Sequence, residues 1–373
     1  MVRRLYFLEP SKVGIQHISV IEGYLRALAG SERIVREFEL HLLASRSTLR
    51  AVSADVLDKY VCSKVPVMNP EKRRLMRKSI VELGVLLRCL FKLQRKDLLF
   101  VSCLLPTTLL MLEVINRVLR IKGVYVVLHG EIEGLFAGRA QKWSSIGYWA
   151  WLWLQCRPRN SLVSLVVLDD FIKRTLLESF GNRLDSSRLH VVYLPIIEVQ
   201  WVADRPQTPQ VVFIGYRTGR KSFEDFCALS VGRKGMRFVA IGGGRLQYLQ
   251  GEEVALTSKA AYLESIATCT IAVFPYKWGY HASLSASAMD ALIAGVPILA
   301  LRQPCFTSLE DYFGSDLVAV FDSIEEMGGY LDRLDDAKVW STRSDRLHAV
   351  ANSKYNLNSV GLAFERMILP QVS

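Results

Sequence analysis

The feature that most constrains this chain is an alternation of short apolar runs with longer amphipathic stretches. The runs Leu5–Leu8, Leu40–Ala44, Leu98–Ser102, Val124–Leu128, Leu162–Leu168 and Val191–Leu194 are β-branched or apolar almost throughout. Such runs suit strands buried on both faces. Helical stretches lie between them, so the pattern predicts a parallel sheet covered by helices on both sides. A polar, proline-bearing segment, Asp204 to Pro209, reads as a linker. A second series follows: Val211–Ile214, Phe238–Ile241, Ile271–Phe274, Ile298–Leu301 and Val318–Phe321. The expectation is an α/β chain of two Rossmann-like, doubly wound parallel-sheet domains, residues 1–203 and 204–351, facing across a cleft. Ligands of such sheets bind beyond the carboxyl ends of the strands. The residues just after each strand are therefore the informative ones.

Composition narrows the class. A chain of 373 residues, half of them hydrophobic and 22% charged, has enough apolar material for two cores and is not a disordered composition. It shows no internal repeat and no low-complexity run. The formal net charge of +11 points to an anionic partner: nucleic acid, an anionic membrane or a phosphorylated substrate. The seven cysteines are odd in number and never at CxxC spacing, which argues against a disulfide framework or a zinc site and fits a reducing compartment. Met1 to Leu8 lacks the long apolar core of a signal peptide. No segment reaches the roughly 20 apolar residues that span a bilayer; Ile146 to Leu154 is shorter and lies between Lys142 and Arg157. A soluble or surface-bound protein is expected.

Four constellations follow predicted strands. Gly215 ends the first strand of the second half and precedes Arg217, Arg220 and Lys221. A glycine lets the backbone turn tightly and approach a ligand, and three cations can neutralise a diphosphate. A solvated basic turn is the plainer alternative, and both remain open. After Phe274, the stretch Ser283, Ser285, Ser287 leads through Asp290 to Gly295-Val296-Pro297. The serines suit an N-cap and Gly295 the C′ position, so a helix is predicted whose N-terminus offers N–H groups to a phosphate. Asp290, about one turn inside, is placed to accept from ribose hydroxyls; a capped core helix with an incidental acid is the alternative. His129 follows the strand Val124–Leu128 and precedes Gly130, Glu131 and Glu133, which makes His129 a catalytic candidate and Glu131, with Glu133 as the alternative, a candidate general base for an inverting reaction. Gly14, after the first strand, permits close ligand approach, although a full GxGxxG is absent.

These residues resemble the GT4-like glycosyltransferases of the GT-B superfamily, mainly over residues 209 to 325. In that family a strand ends in Gly and a Lys six residues later binds the donor diphosphate; Gly215 and Lys221 match this spacing. The family's Arg after the Gly is Tyr216 here, so Arg217 or Arg220 is the expected substitute. The family also carries two glutamates eight residues apart before a Gly-Val-Pro turn. Asp290 matches the second, whereas the first position is Ala282, which departs from the retaining pattern. His129 matches the family's histidine after a first-domain strand, and Gly14 its reduced glycine loop. The resemblance implies a nucleotide-sugar donor bound at Gly14, Gly215, Arg217, Arg220, Lys221, Ser283, Ser285, Ser287 and Asp290. It implies no metal and no resident cofactor. It also implies a last helix, within 352–373, that returns to the first domain.

From Lys72 to Lys96 nine Lys or Arg residues face one acid, Glu82, and are interleaved with apolar residues. This predicts a basic amphipathic helix suited to an anionic membrane surface, with Trp149, Trp151 and Trp153 as interfacial anchors. A packed helix with a basic solvated face is the alternative. No nucleic-acid recognition motif accompanies the charge. The expected protein is a cytoplasmic glycosyltransferase, peripheral on the inner membrane, acting on a lipid-linked or polysaccharide acceptor in cell-surface glycan synthesis such as lipopolysaccharide, capsule or exopolysaccharide. Two rivals share the architecture: a hydrolysing nucleotide-sugar epimerase, and an inactive scaffold suggested by Ala282.

Overall fold

The computed structural model describes residues 2–11, 18–68, 75–136, 145–158, 160–197, 206–217, 219–242, 244–249, 251, 253–256 and 258–371. The chain forms two compact units. One comprises Met1–Ile197 with Lys354–Ser373, the other Glu198–Ser353.

The first unit contains β1 (Arg3–Leu8), β2 (Phe38–Ala44), β3 (Val61–Lys64), β4 (Leu98–Val101), β5 (Val124–Val127), β6 (Val163–Val167) and β7 (Leu189–Val191). They form a parallel sheet in the order β3-β2-β1-β4-β5-β6-β7. Its inner strands are apolar because both faces are covered; β4, β5 and β6 are buried at every position. Two readings from sequence shift here. The last strand lies at Leu189–Val191 rather than Val191–Leu194, and β3 went unpredicted because all four of its residues are exposed at the sheet edge. The order reverses between β1 and β4, which is the switch point where doubly wound sheets hold ligands.

The helix Leu357–Ile368 belongs to this first unit and packs on the helix Ile18–Gly30; the Phe364 ring meets Tyr24 and Phe100 edge-on, with centroids 5.6 and 5.2 Å apart. Its entry is tied by Asp169, which is fully buried. Asp169 accepts from Phe171 N–H, from the Tyr355 hydroxyl and from Lys354 Nζ at 3.1 Å. Ile196 N–H also donates to Tyr355 O at 2.8 Å.

The second unit contains β8 (Gln210–Ile214), β9 (Arg237–Gly242), β10 (Arg245–Tyr248), β11 (Glu253–Ala255), β12 (Ile271–Phe274), β13 (Ile298–Leu301) and β14 (Val318–Phe321). Their order is β11-β10-β9-β8-β12-β13-β14. The strands β9, β8, β12, β13 and β14 run parallel, whereas β10 and β11 extend the sheet antiparallel. This extension was not foreseen, because Arg245–Tyr248 and Glu253–Ala255 carry no apolar run. The switch point of this sheet lies between β8 and β12.

Candidate functional site

In the second unit the switch point gathers residues from β8 and from the loop after β12. Gly215 follows β8 with φ +121 and donates its N–H to Ile241 O at 2.7 Å. A β-carbon there would come within 2.2 Å of Lys221 Nζ, and one on Gly242 within 2.2 Å of Gly215 O. Two strand ends and an ammonium therefore share a space that only glycines leave open. Lys221 lies in the short turn Gly219–Lys221, and its Nζ stands 3.4 Å from Ser287 Oγ and 5.0 Å from the Tyr276 ring centroid.

Ser287 is in the first turn of the helix Ala286–Ile293. Ser285 caps that helix, its side chain accepting from Ala288 N–H at 3.3 Å. The N–H groups of Ala286 and Ser287 have no partner within a helix that starts there, and they carry the positive end of its dipole. The helix ends with the geometry predicted from sequence. Gly295 has φ +66, its N–H donates to Leu292 O, and Val296 N–H donates to Ala291 O. Beneath lies a buried Tyr276, stacked on Tyr280 with centroids 5.0 Å apart and planes 21° apart. Burial pushes the Tyr276 hydroxyl well above its usual value.

The other predicted residues of this unit take distinct places. Asp290 receives the Tyr262 hydroxyl on Oδ2 at 2.9 Å. Ser283 is buried just ahead of the helix cap. Arg217 is exposed, donates to Gln247 on β10 and lies 4.7 Å from the Phe223 ring centroid, so the antiparallel extension positions it. The Arg220 side chain and Gly14 lie outside the described residues. Ala282 is fully buried.

In the first unit the carboxyl ends of β1, β4 and β5 converge. Glu9, after β1, accepts from Ser11 N–H at 2.9 Å and from Ser102 Oγ–H at 2.6 Å. Ser102, after β4, offers its carbonyl to His129 Nε2 at 2.7 Å. A carbonyl only accepts, so Nε2 donates the proton of this bond. Glu82 joins the group from the helix Leu75–Leu90, receiving the Ser11 hydroxyl, Leu105 N–H at 3.1 Å and Thr108 Oγ1 at 2.8 Å. Burial raises its carboxyl above the ordinary range against the pull of these donors. Glu131 sits half-buried in the short 3-10 helix Gly130–Leu135, whose N-cap is His129. Glu9, Ser102 and Glu82 were missed from sequence. Glu9 directly follows a strand and was open to the same reading as His129, whereas Ser102 fell inside the expected run Leu98–Ser102.

No family profile matches the chain. No curated protein sequence matches it either. Solved structures do. A sucrose-phosphate synthase from Thermosynechococcus elongatus superposes with TM-score 0.70 at 12% identity, over 99% of both chains. WaaG, a glycosyltransferase involved in lipopolysaccharide biosynthesis, gives 0.63 at 11% identity over 98% of this chain and 99% of its own. HepE of Anabaena, solved with UDP-glucose, gives 0.61 at 10% identity over 99% and 100%. At such identities the likeness speaks for the fold, and the fold is the two-domain GT-B architecture of glycosyltransferases.

Proposed function

We propose that this protein is a glycosyltransferase that moves a sugar from a nucleotide-sugar donor to a lipid-linked or polysaccharide acceptor. The observation that carries the reading is the convergence of Lys221 Nζ, the backbone at Gly215 and the N-terminal turn at Ser287. A diphosphate placed there meets an ammonium and a helix N-terminus, so its charge is balanced without a divalent cation. Asp290 lies one turn along the same helix for the ribose hydroxyls. His129 and Glu131 are the proposed acid–base groups. HepE's bound UDP-glucose supports a nucleotide-sugar donor, and WaaG's role in lipopolysaccharide synthesis supports a cell-surface glycan as product.

The acceptor reading rests on one face of the first unit. The helix Leu75–Leu90 turns Glu82 inward and exposes Met76, Arg77, Ile80 and Arg88; Phe91 and Lys92 follow. Lys72, Arg73 and Arg74 lie outside the described residues. Trp151 is exposed and Trp149 half-buried. Trp153 is in the core against Arg157, so it is no interfacial anchor. Among the described residues no helix is long and apolar enough to cross a membrane. We assign the protein to the cytoplasmic face of the inner membrane, held peripherally.

Calorimetry with UDP, GDP, dTDP and ADP tests the donor site. One of them is expected to bind, EDTA is expected to leave binding unchanged, and Lys221→Ala should weaken it by about 1.5–3 kcal/mol. Equal affinity in a folded Lys221→Ala variant removes Lys221 from the site. Donor binding with neither transfer nor hydrolysis favours the scaffold reading that Ala282 suggests.

A further inference from the structure

The helices Lys259–Ala267 and Ala286–Ile293 flank β12 in sequence and pack against each other. The first leads into β12 through a short turn, so its start lies towards the edge where β12 finishes. Ser258 caps that start, its side chain accepting from Ala261 N–H at 3.0 Å, and Tyr262 N–H closes the first turn onto Ser258 O at 3.1 Å. The second helix begins at the same carboxyl edge, beside Lys221. A side-chain bond joins the two: the Tyr262 hydroxyl donates to Asp290 Oδ2 at 2.9 Å.

Asp290 shares a helix face with Ser287, because residues three apart on a helix are neighbours. Ser287 is the residue whose Oγ stands 3.4 Å from Lys221 Nζ. The carboxylate thus lies one step along the helix from the ammonium, as ribose lies one step along a nucleotide from its diphosphate.

By itself the acid lacks a fixed direction. The torsion that turns an aspartate carboxyl is broad and two-fold, and Asp290 is only half-buried. A donor on Oδ2 removes that freedom. A carboxylate offers about four lone-pair sites, so one hydroxyl from Tyr262 leaves it able to accept from a diol as well. Burial, and after it the Asp290 charge, pushes the Tyr262 phenol well above its usual value. The phenol therefore stays protonated through neutral pH and remains the donor.

We propose that Tyr262 is a positioning residue. With the diphosphate seated at Lys221 and Ser287, a reading on which this proposal rests, the Tyr262 hydroxyl aims the Asp290 carboxylate at the hydroxyls of the donor's ribose. The site thereby selects a ribonucleoside diphosphate over its dideoxyribose counterpart. Neither strand-end position nor motif spacing marks Tyr262, because it reaches Asp290 from a different helix.

Calorimetry on the full chain with UDP, GDP and ADP, each beside its dideoxyribose counterpart, tests this. The readout is the ratio of the two dissociation constants within one protein, which a smaller folded fraction does not change. In the wild type the ribonucleotide that binds should be favoured about tenfold or more, as the loss of hydrogen bonds to a carboxylate implies. Tyr262→Phe removes one oxygen and keeps the ring. It should bring the ratio down to about threefold or less, through weaker ribonucleotide binding and with dideoxy binding near wild type. Asp290→Ala should abolish the preference, and adding Tyr262→Phe to that variant should change the ratio no further. A bond that merely ties two helices would weaken both ligands alike. An unchanged ratio in Tyr262→Phe overturns the proposal, as does a wild type that binds both sugars equally. If no ribonucleoside diphosphate binds, or if binding ignores Lys221→Ala, the donor-site reading itself fails and the proposal with it.

Discussion

Glu82 sits alone among nine cations in the sequence from Lys72 to Lys96, yet it is turned away from solvent, at 2% exposure. Three donors receive it in the polar group beneath β1 and β4. Burial outweighs those donors and raises its carboxyl above the ordinary 4.5. A carboxyl raised in the fold holds its proton more tightly there than in the unfolded chain. Its contribution to stability is therefore complete below the ordinary value and fades as pH climbs through the folded one. Glu82→Gln removes that titration and retains an acceptor for Leu105 N–H. Melting temperatures from about pH 4 to about pH 7 should shift steadily in favour of the glutamine variant relative to wild type. A constant gap across that range would show that Glu82 does not titrate differently on folding. The same polar group orients His129, because the Ser102 carbonyl holds the ring through Nε2.

At the level of elements, the helix Ala286–Ile293 joins structure to the proposed chemistry. Its start is set by Ser285 and its end by Gly295, and both signals are local. Gly295 is constrained twice: its φ is +66, and a β-carbon would come within 2.8 Å of Leu347 Cγ. Gly295→Ala should cost about 1–2 kcal/mol through the left-handed backbone alone, with the Leu347 contact adding to it. Chemical denaturation measures this. Nucleotide affinity of the folded variant should stay near wild type, since the change is at the far end from Lys221. A large loss of affinity without loss of stability would mean that the C-terminal turn itself shapes the donor site.

On the scale of the whole molecule, the chain leaves the first unit at Ile197 and returns at Lys354. Asp169 ties that return with Lys354 and Tyr355, which lie 185 and 186 residues away. Asp169→Ala leaves the Tyr355 hydroxyl without its acceptor, while Lys354 keeps Asp170 at 3.5 Å, and should cost roughly 1–3 kcal/mol. Limited proteolysis should then release the segment 354–373, which the wild type protects. Equal protection in both proteins would show that the apolar face of the helix Leu357–Ile368 suffices. The membrane reading also belongs to this scale. Each Lys or Arg near an anionic leaflet contributes about 1 kcal/mol and is screened by salt. Charge reversal of Arg77, Lys78, Arg88 and Lys92 should release the protein from anionic liposomes while sparing nucleotide binding. Co-sedimentation across a salt series checks it, and a wild type indifferent to anionic liposomes at low salt ends the docking idea.

What could be read from sequence follows from the range of the forces involved. The runs Leu98–Ser102, Val124–Leu128 and Ile271–Phe274 announced themselves because a strand buried on both faces must be apolar at every position. The caps at Ser285 and Gly295 were legible because capping is settled within a few residues. By the same logic β3, β10 and β11 were hidden: their stability comes from ladder bonds to a neighbouring strand, which impose no side-chain pattern. The spacing from Gly215 to Lys221 was visible as a motif, but only folding set the ammonium over the glycine and beside Ser287. Nor did the sequence separate Trp151 from Trp153, since two residues along a helix is about half a turn and only packing against the helix Pro106–Leu119 and the turn Gly130–Leu135 decides which ring is buried. Sequence by itself determined the buried parallel strands of two doubly wound sheets. Tertiary structure alone assembled Glu9, Ser102 and His129, because the residues that follow β1, β4 and β5 become neighbours only when the strand order places those three side by side.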